Sequence, residues 1–390
     1  MSKKLWLVSE LFYPETISTG YIMTEIAGYL AKQYDVHVIC GPEFYEKKKT
    51  SITADPPKNV TIHRVKSNGY NKNSLVSRII GHLTISLKMF IFMRKKIKND
   101  EQVLLVTNPI FLTLLMGFIS SKRNWKIKLY IHDVFPENLV ISRILKSKKS
   151  IIYKVLASFF NRALKKMDKI VVCGRDMKEI FVEKTRSNNN IVVVENWSDN
   201  TNISVNKVKN DKTNFLFAGN LGRLQGLEEL FGAISKVKNQ NCNFTFIGSG
   251  AMENFISNYI DENNIGNVEL QGWLPREDQN IFLAKATVGL ISLKAGMYGL
   301  GVPSKLYNLI AAGKPIFYIG DVDSEIHRVL CENKIGWFAE SGNEEMIVNV
   351  IHEIINAHPS LLDEYSINAR ALAEGIYSKE NILNKTANLF

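Results

Sequence analysis

The sequence predicts an α/β protein made of two doubly wound, Rossmann-like domains that face each other across a cleft. Short apolar runs rich in Val, Ile, Leu and Phe recur along the chain and alternate with segments of helical periodicity. The series stops at a polar stretch without periodicity, residues 199–212, and then starts again. Loops rich in Gly, Ser or charged residues follow several of the runs, at the positions where parallel α/β sheets bind ligands.

The domain limits follow from this restart. Residues 1–198 are expected to form the N-terminal domain, residues 199–212 the linker and residues 213–375 the C-terminal domain. Residues 376–390 are expected to form a last helix that packs back on the N-terminal domain. A length of 390 residues is typical of two such domains.

The first half begins with a β-loop-α-β unit. A strand at Leu5–Ser9 is followed by the loop Glu10–Gly20, and the periodicity of the next segment predicts a helix from about Tyr21 to Gln33. The loop lacks the GxGxxG pattern of dinucleotide-binding folds, which disfavours hydride chemistry. Further strands of this half are predicted at Val36–Cys40, Val60–Val65, Gln102–Thr107, Lys126–Ile131, Lys169–Cys173 and Ile191–Val194.

The second half repeats the pattern. Glycine-rich loops at Gly219–Gly226 and Gly248–Gly250 follow its first two strands, and helices are predicted at Leu227–Val237, from about Ser324, and in much of the tail from Glu345. Strands of this half are predicted at Asn214–Ala218, Phe244–Ile247, Val268–Gln271, Thr287–Ser292 and Ile316–Ile319. A ligand between two such halves would contact the loops of both.

Positive charge is concentrated in the first half. Residues 1–200 contain 33 Lys and Arg against 17 Asp and Glu, whereas residues 201–390 contain 16 against 21, which indicates a polyanionic partner. Two basic amphipathic segments, residues 76–98 and 144–166, favour an anionic membrane surface; no zinc-finger or RNA-binding pattern supports nucleic acid. The alternative is a pair of core helices with solvated basic faces. Charges within residues 76–98 disfavour a transmembrane helix.

Neither a disulfide framework nor a cysteine metal site is expected. Cys40, Cys173, Cys242 and Cys331 lie far apart in the sequence, which fits a reducing, cytosolic location. The apolar run at the start is too short for a signal peptide.

A glycine-rich loop that enters a short apolar helix, at Gly299–Pro315, is the first candidate site. Ser304 can cap this helix, which would aim free N–H groups and the positive end of the helix dipole at the loop. Lys305 adds a full charge, and Gly299 and Gly301 would let a ligand approach the backbone. These features predict an anion site of the kind that binds phosphates. The alternative is a helix with an ordinary start and stop.

A second candidate site, His132-Asp133, follows the predicted strand Lys126–Ile131. His132 can exchange protons near neutral pH, and Asp133 can orient it or accept a proton from a sugar hydroxyl. The alternative is a histidine with a structural role.

In their order and spacing, the loops resemble those of a known family. The sequence is similar to retaining glycosyltransferases of the GT-B fold in family four, within the capsule, O-antigen and colanic-acid subgroup that includes fucosamine-type transferases. The resemblance covers nearly the whole chain. Its motifs are Tyr13-Pro14-Glu15, His132–Glu137, Glu195-Asn196-Trp197, Phe217–Gly226, Ile247–Gly250, Val302–Asn308 and Ala311–Pro315.

The resemblance implies a role for each site. The C-terminal half would bind a UDP-sugar carrying an N-acetylated hexosamine or deoxyhexosamine, and the N-terminal half a polyprenyl-diphosphate-linked saccharide at the inner face of the cell membrane. Retaining transfer would rely on positioning and on charge stabilisation of the leaving diphosphate. The residues implied are His132, Asp133 and Lys305 for catalysis; Gly219, Asn220, Arg223, Gln225, Gly248, Gly272, Trp273, Leu274, Pro303, Ser304, Asn308 and Glu325 for the donor; and Glu15, Ser18, Thr19 and Gly20 for the acceptor.

The sequence departs from the family pattern at the donor site. Many members have a Glu-x7-Glu pair where this chain has Leu300 and Asn308, and an Arg and a Lys where it has Asn220 and Gln225. A nucleotide-sugar epimerase of the same fold and a non-catalytic, sugar-nucleotide-binding assembly subunit therefore stay open as alternatives. Asp321-Val322-Asp323 spells the DxD of a different, metal-dependent transferase fold, so it is interpreted as a loop, and neither a metal nor a cofactor is expected.

Overall fold

The computed structural model describes residues 3–15, 18–43, 56–66, 75–206, 211–237 and 241–390. These residues confirm the predicted class, because they form two α/β domains, each built on a parallel sheet. The strands of the first domain are β1 (Lys4–Val8), β2 (Asp35–Cys40), β3 (Val60–Arg64), β4 (Gln102–Val106), β5 (Lys126–Tyr130), β6 (Lys169–Val172) and β7 (Ile191–Val193). Its helices are α1 (Ser18–Leu30), α2 (Leu75–Lys96), α3 (Ile110–Arg123), α4 (Glu137–Ile141), α5 (Ile151–Leu164) and α6 (Arg175–Thr185).

The second domain repeats the architecture with one strand fewer among the described residues. Its strands are β8 (Thr213–Ala218), β9 (Cys242–Ile247), β10 (Val268–Gln271), β11 (Val288–Ser292), β12 (Ile316–Gly320) and β13 (Gly336–Glu340). Its helices are α7 (Leu227–Lys236), α8 (Glu253–Glu262), α9 (Gln279–Ala284, after a 3₁₀ turn at Arg276–Asp278), α10 (Lys305–Ala311), α11 (Glu325–Asn333), α12 (Glu344–Ile355), α13 (Pro359–Glu374) and α14 (Lys379–Ala387).

The strand orders place the binding crevices. The first sheet runs β3-β2-β1-β4-β5-β6-β7 and the second β10-β9-β8-β11-β12-β13, with parallel pairing throughout. The order therefore reverses between β1 and β4 in the first sheet and between β8 and β11 in the second. Loops that leave the carboxyl ends of strands at such a point diverge and open a crevice. The glycine-rich loops after β8 and β11 flank that point in the second domain.

Helix α14 returns to the first domain. The Tyr29 hydroxyl on α1 donates a hydrogen bond to Asn384 Oδ1 on α14. The Phe390 ring lies 6.1 Å from the ring of Tyr34, and the Lys128 ammonium lies 4.4 Å from the Phe390 ring centroid. The first domain is therefore completed by a segment that follows the second domain in sequence.

Two predicted segments begin at a different residue from the one expected. Helix α1 starts at Ser18, so Ser18, Thr19 and Gly20 form its first turn and are not part of the preceding loop. In the segment 144–166, helix α5 starts at Ile151, because the Ser150 side chain caps it by accepting a hydrogen bond from Tyr153 N (3.3 Å). Of the predicted linker, residues 207–210 lie outside the described residues.

Candidate active site

A cavity of about 610 Å³ lies between the two domains. The first domain contributes part of its wall from the α1 region and the end of its last strand, including Tyr21, Ile22, Asn196 and Trp197. The second domain contributes the loops after β8, β9 and β10 and the first turn of α10. The predicted site residues in the wall are Glu15, Gly219, Asn220, Gly248, Trp273, Leu274, Ser304, Lys305 and Asn308.

Glycines allow the loops at the cavity to approach each other closely. Gly219 has φ 135° and Gly248 has φ 144°, in the region that favours glycine. A Cβ at Gly248 would lie 1.9 Å from the carbonyl oxygen of Gly219, and a Cβ at Gly219 would lie 2.9 Å from Lys305 Cε. The loops after β8 and β9 therefore bring bare backbone up to the lysine.

Lys305 places a cation in this wall. Its ammonium donates a hydrogen bond to Gln225 Oε1 (2.6 Å) and lies 4.2 Å from the ring centroid of Phe217. The side chain is only partly exposed, and desolvation in the cleft lowers the pKa of Lys305 to about 7. The amide oxygen and the aromatic ring carry no negative charge that would neutralise the protonated lysine, so below about pH 7 its positive charge is available to a ligand.

The predicted cap at Ser304 is wrong. Ser304 has φ −63° and ψ −15°, which is helical backbone, and its side chain makes no capping hydrogen bond. Helix α10 then runs for only seven residues. The predicted anion site at this stretch therefore rests on the Lys305 side chain and not on a capped helix end.

Gly299 and Gly301 face the other domain, contrary to the expectation that they admit a ligand. A Cβ at Gly299 would lie 2.5 Å from Ile180 Cγ1, and a Cβ at Gly301 would lie 3.6 Å from the His132 carbonyl oxygen. Gly299 therefore lets the two domains touch, whereas the distance at Gly301 is an ordinary van der Waals contact.

His132 lies outside the cavity wall and does not titrate near neutral pH. Its backbone N–H donates to Thr107 Oγ1 (3.2 Å), and its Nε2 is buried without a hydrogen-bond partner in the part of the chain that the structure describes. Desolvation lowers the pKa of His132 to about 4, so the ring is neutral at pH 7. The expected proton exchange near neutral pH is therefore wrong for the free protein.

Asp133 retains contact with solvent beside His132. The Asn138 amide donates a weak hydrogen bond to its carboxylate (3.3 Å). The surrounding protein atoms raise the pKa of Asp133 by desolvation, although part of the residue is exposed.

A cluster that joins the domains at the cavity was missed by sequence reasoning. The Tyr21 hydroxyl donates to Asp199 Oδ2 (3.1 Å), and the Arg276 guanidinium lies 3.7 Å from the Tyr21 ring centroid. Arg276 Nη2 also lies 3.5 Å from Asp199 Oδ2. Arg276 is thus a second cation in the wall, and it is paired with a buried carboxylate.

The remaining predicted residues are not among the described residues that line the cavity. Arg223 is exposed in the loop after β8, and Gly272 and Pro303 adjoin wall residues. The side chain of Ser18 lies outside the described residues, and Thr19 and Gly20 form part of the first turn of α1. Glu325 is buried and paired with Arg175 of the first domain.

Asp321, the first carboxylate of the DxD sequence, has structural partners. It accepts hydrogen bonds from the backbone N–H groups of Gly296 (2.9 Å) and Tyr298 (2.6 Å). These two hydrogen bonds order the loop that contains Gly296 and Tyr298, which accounts for an aspartate at position 321.

Comparison with known proteins gives the family. The family described as "Glycosyl transferases group 1" matches residues 198–372. WbjE of Pseudomonas aeruginosa, named as a glycosyltransferase, is 32% identical over 362 residues that cover 90% of this chain and 89% of WbjE. WcaI of Escherichia coli K12, named as a colanic acid biosynthesis glycosyl transferase, is 22% identical over an alignment of 404 positions, gaps included, that covers 97% of each chain.

Solved structures share the fold over the whole length. Sucrose-phosphate synthase from Thermosynechococcus elongatus has a TM-score of 0.74 at 13% identity, covering 99% of this chain and 98% of the other. Anabaena HepE in complex with UDP has a TM-score of 0.72 at 10% identity, covering 99% of both chains. The architecture is GT-B, and with the identity to WbjE these matches lead to one conclusion: the chain belongs to the group 1 glycosyltransferase family.

Proposed function

We propose that the chain is a retaining glycosyltransferase that transfers a sugar from a UDP-sugar to a polyprenyl-diphosphate-linked saccharide in bacterial surface polysaccharide biosynthesis. The transferred sugar in this proposal is an N-acetylated hexosamine or deoxyhexosamine. The observation that carries the proposal is the Lys305 ammonium in the interdomain cavity, held by an amide and an aromatic ring. The UDP complex of HepE supports the choice of nucleotide, and the name of WcaI supports the polysaccharide context.

The wall of the cavity suits the parts of a nucleotide-sugar. Gly219 and Gly248 lie in the same part of the wall as Lys305, where this proposal places the phosphates. Trp273 is 55% exposed and offers a flat surface for the base, and the Asn308 amide can hydrogen-bond ribose hydroxyls.

The proposed reaction depends on stabilisation of the leaving phosphate and does not require a protein side chain as a base. In front-face transfer the bond from the anomeric carbon to the phosphate oxygen breaks, the bond to the acceptor oxygen forms, and the acceptor proton moves to the departing phosphate. Lys305 would stabilise the charge that develops on that phosphate. A neutral His132 outside the wall fits this scheme, which assigns it no proton to carry.

The basic domain presents an apolar surface on two helices. On α2 the exposed apolar residues follow one face, at Ile79, Ile80, Leu83, Leu87 and Ile91; on α5 they are Ile151, Ile152, Val155 and Phe159. Helix α3 packs against both α2 and α5. Exposed basic residues accompany the two stripes: Arg94, Lys95, Lys96, Lys146, Lys148, Lys149, Lys154, Arg162, Lys165 and Lys166.

Apolar stripes beside exposed cations match an anionic bilayer, which supplies hydrocarbon and negative headgroups in one place. We therefore include peripheral binding at the cytosolic face of the membrane, where a lipid-linked acceptor would be found. Among the described residues, the helices include none that combines the length and apolarity required to cross a bilayer.

The proposal is tested by thermal unfolding in a panel of nucleotides and nucleotide-sugars. A ligand that binds only the folded state raises the melting temperature by mass action. UDP and at least one UDP-sugar are expected to raise it, whereas GDP and ADP at equal concentration are expected to leave it nearly unchanged. Protection by none of the uridine ligands would contradict the proposal.

Turnover with a polyprenyl-diphosphate-linked acceptor completes this test. UDP release that depends on the acceptor separates a transferase from an epimerase and from a binding subunit.

Because we propose no metal, EDTA is expected to leave the rate of UDP release unchanged. A strong loss of rate would assign Asp321 and Asp323 a metal-binding role.

The pKa of Lys305 predicts that UDP binding takes up a proton. UDP brings negative charge next to Lys305 and raises its pKa in the complex, while the free lysine, with a pKa of about 7, is largely neutral above that pH. UDP affinity is therefore expected to fall between about pH 7.5 and about pH 9, where UDP itself is fully ionised. Calorimetry in two buffers of different ionisation enthalpy measures the uptake. The UDP affinity of Lys305→Gln should not vary with pH over this range. A pH-independent UDP affinity of the native protein would contradict the placement of UDP next to Lys305.

A further inference from the structure

Carboxylates from both domains hold the loop that leads to Lys305. We call residues 293–304, which connect β11 to α10, the donor loop. Asp321 of the same domain fixes its first part through the N–H groups of Gly296 and Tyr298. The next N–H along the loop, that of Gly299, donates to a side chain of the other domain.

That side chain is Asp176, in the first turn of α6. Its Oδ2 accepts hydrogen bonds from Gly299 N (3.2 Å) and from Glu325 N (3.0 Å) at the start of α11, and its Oδ1 accepts one from Met177 N (2.7 Å). The residue is 2% exposed. One buried carboxylate therefore bridges α6 of the first domain with the donor loop and α11 of the second. The first-turn N–H groups of α6 and α11 carry the partial positive charge that favours it.

Close packing around this contact leaves no space for a side chain at two glycine positions. Gly299 has φ 66°, and a Cβ there would lie 2.8 Å from the Asp176 carbonyl oxygen. A Cβ at Gly174 would lie 2.9 Å from Val302 Cγ2 and 3.1 Å from Glu325 Cβ. The start of α6 and the donor loop therefore touch at glycine positions, which fixes their separation closely.

An ion pair between the buried Glu325 carboxylate and the partly exposed Arg175 adjoins the Asp176 contact. The Glu325 carboxylate accepts from the Arg175 backbone N–H (2.6 Å) and from Arg175 Nε (3.1 Å), and Arg175 Nη1 donates to Glu332 (2.7 Å). Glu325 is 4% exposed. Its carboxylate is therefore engaged across the domain boundary, and the contacts that it makes join the domains.

We propose that Asp176 is a positioning residue of the donor site: it holds the donor loop, and thereby Lys305, in place only while the two domains are closed. The proposal rests on the proposed function, because it assigns the donor to Lys305. Separation of the domains would remove α6 from the loop and leave the Gly299 and Glu325 N–H groups without their acceptor. Donor affinity and domain closure are then coupled, so that whatever stabilises one stabilises the other.

The test compares Asp176→Ala, Asp176→Asn and a control on the same helix. Asp176→Ala is expected to weaken UDP binding by about tenfold or more, measured by calorimetry, and to raise the donor KM more than it lowers kcat. Asp176→Asn should recover part of the affinity, because its amide oxygen can accept from both Gly299 and Glu325, while its NH2 group cannot accept from Met177 N. Glu183→Gln is the control, because it removes an exposed carboxylate from the same helix.

Hydrogen exchange of the ligand-free protein separates this proposal from the proposed function. Asp176→Ala is expected to speed exchange in peptides that cover residues 293–304, while peptides from the two central sheets keep their protection. If Asp176→Ala does not fold, Gly299→Ala disturbs the same contact from the loop side and is expected to give the same changes.

The outcomes are distinct. Native affinity for UDP in Asp176→Ala would overturn the positioning role, and equal losses in Asp176→Ala and Glu183→Gln would also overturn it. If the native protein does not bind UDP, the proposed function fails. The contact between Asp176 and the donor loop is then tested by hydrogen exchange alone. Unchanged exchange at residues 293–304 in Asp176→Ala would overturn the positioning role.

Discussion

Lys305→Ala is expected to lower kcat/KM by about 10²- to 10³-fold, because it removes the cation that stabilises the departing diphosphate. The fold should remain intact, since the alanine removes a desolvated charge and leaves the apolar neighbours of α10 in place. Initial rates of UDP release with the lipid-linked acceptor measure the loss, and circular dichroism and the melting temperature measure the fold.

Two variants make this result specific to the position. Lys334→Ala removes an exposed lysine at the end of α11 in the same domain and is expected to keep native turnover. Gln225→Ala removes the hydrogen-bond partner of Lys305 and should have a smaller effect than the loss of Lys305 itself. Near-native turnover of Lys305→Ala would contradict the phosphate role.

A double variant of α5, Ile152→Asp with Phe159→Asp, is expected to weaken binding to anionic vesicles by roughly 30-fold or more. Each side chain would lose about 1 kcal/mol of apolar burial in the bilayer, and the added carboxylates repel the headgroups. Sedimentation with vesicles of phosphatidylglycerol and phosphatidylcholine measures the binding.

The matched control lies on the other domain. Ile367 on α13 is 69% exposed, so Ile367→Asp makes the same type of substitution, with one added charge instead of two, on an exposed surface and should leave vesicle binding unchanged. Replacing Lys146, Lys148 and Lys149 with Gln should weaken binding to anionic vesicles and make the remainder less sensitive to salt. Native binding of the α5 double variant would show that the stripe faces solvent and not a bilayer.

Most strands could be predicted because a buried parallel strand is a short continuous apolar run, which is a local signal. Helices α3 and α6 were not predicted, for opposite reasons. Helix α3 lies between α2 and α5 and is apolar over most of its length, so it lacks a polar face. Helix α6 buries Asp176 and Thr185 together with Met177 and Phe181, which weakens its apolar pattern.

The candidate site could be predicted only in part. Glycine-rich loops and Lys305 are visible as local patterns, and the strand order brings them to one crevice. The partners that determine the properties of the site are distant in sequence: Gln225 for Lys305, Asp199 for Arg276 and Asp176 for Gly299. Burial also could not be read from the motif at His132, although burial lowers the pKa of this residue.

The return of α14 to the first domain has a consequence for the order in which the molecule can be assembled. Tyr29 on α1 and Tyr34 just after it contact Asn384 and Phe390, which follow more than 350 residues later in the sequence. At about 5–20 residues per second, a ribosome needs tens of seconds to pass from the end of the first domain to this segment. During that interval the first domain has left the ribosome, and the surface of α1 that contacts α14 is still exposed to solvent. Its last packing step therefore waits for the second domain to be synthesised.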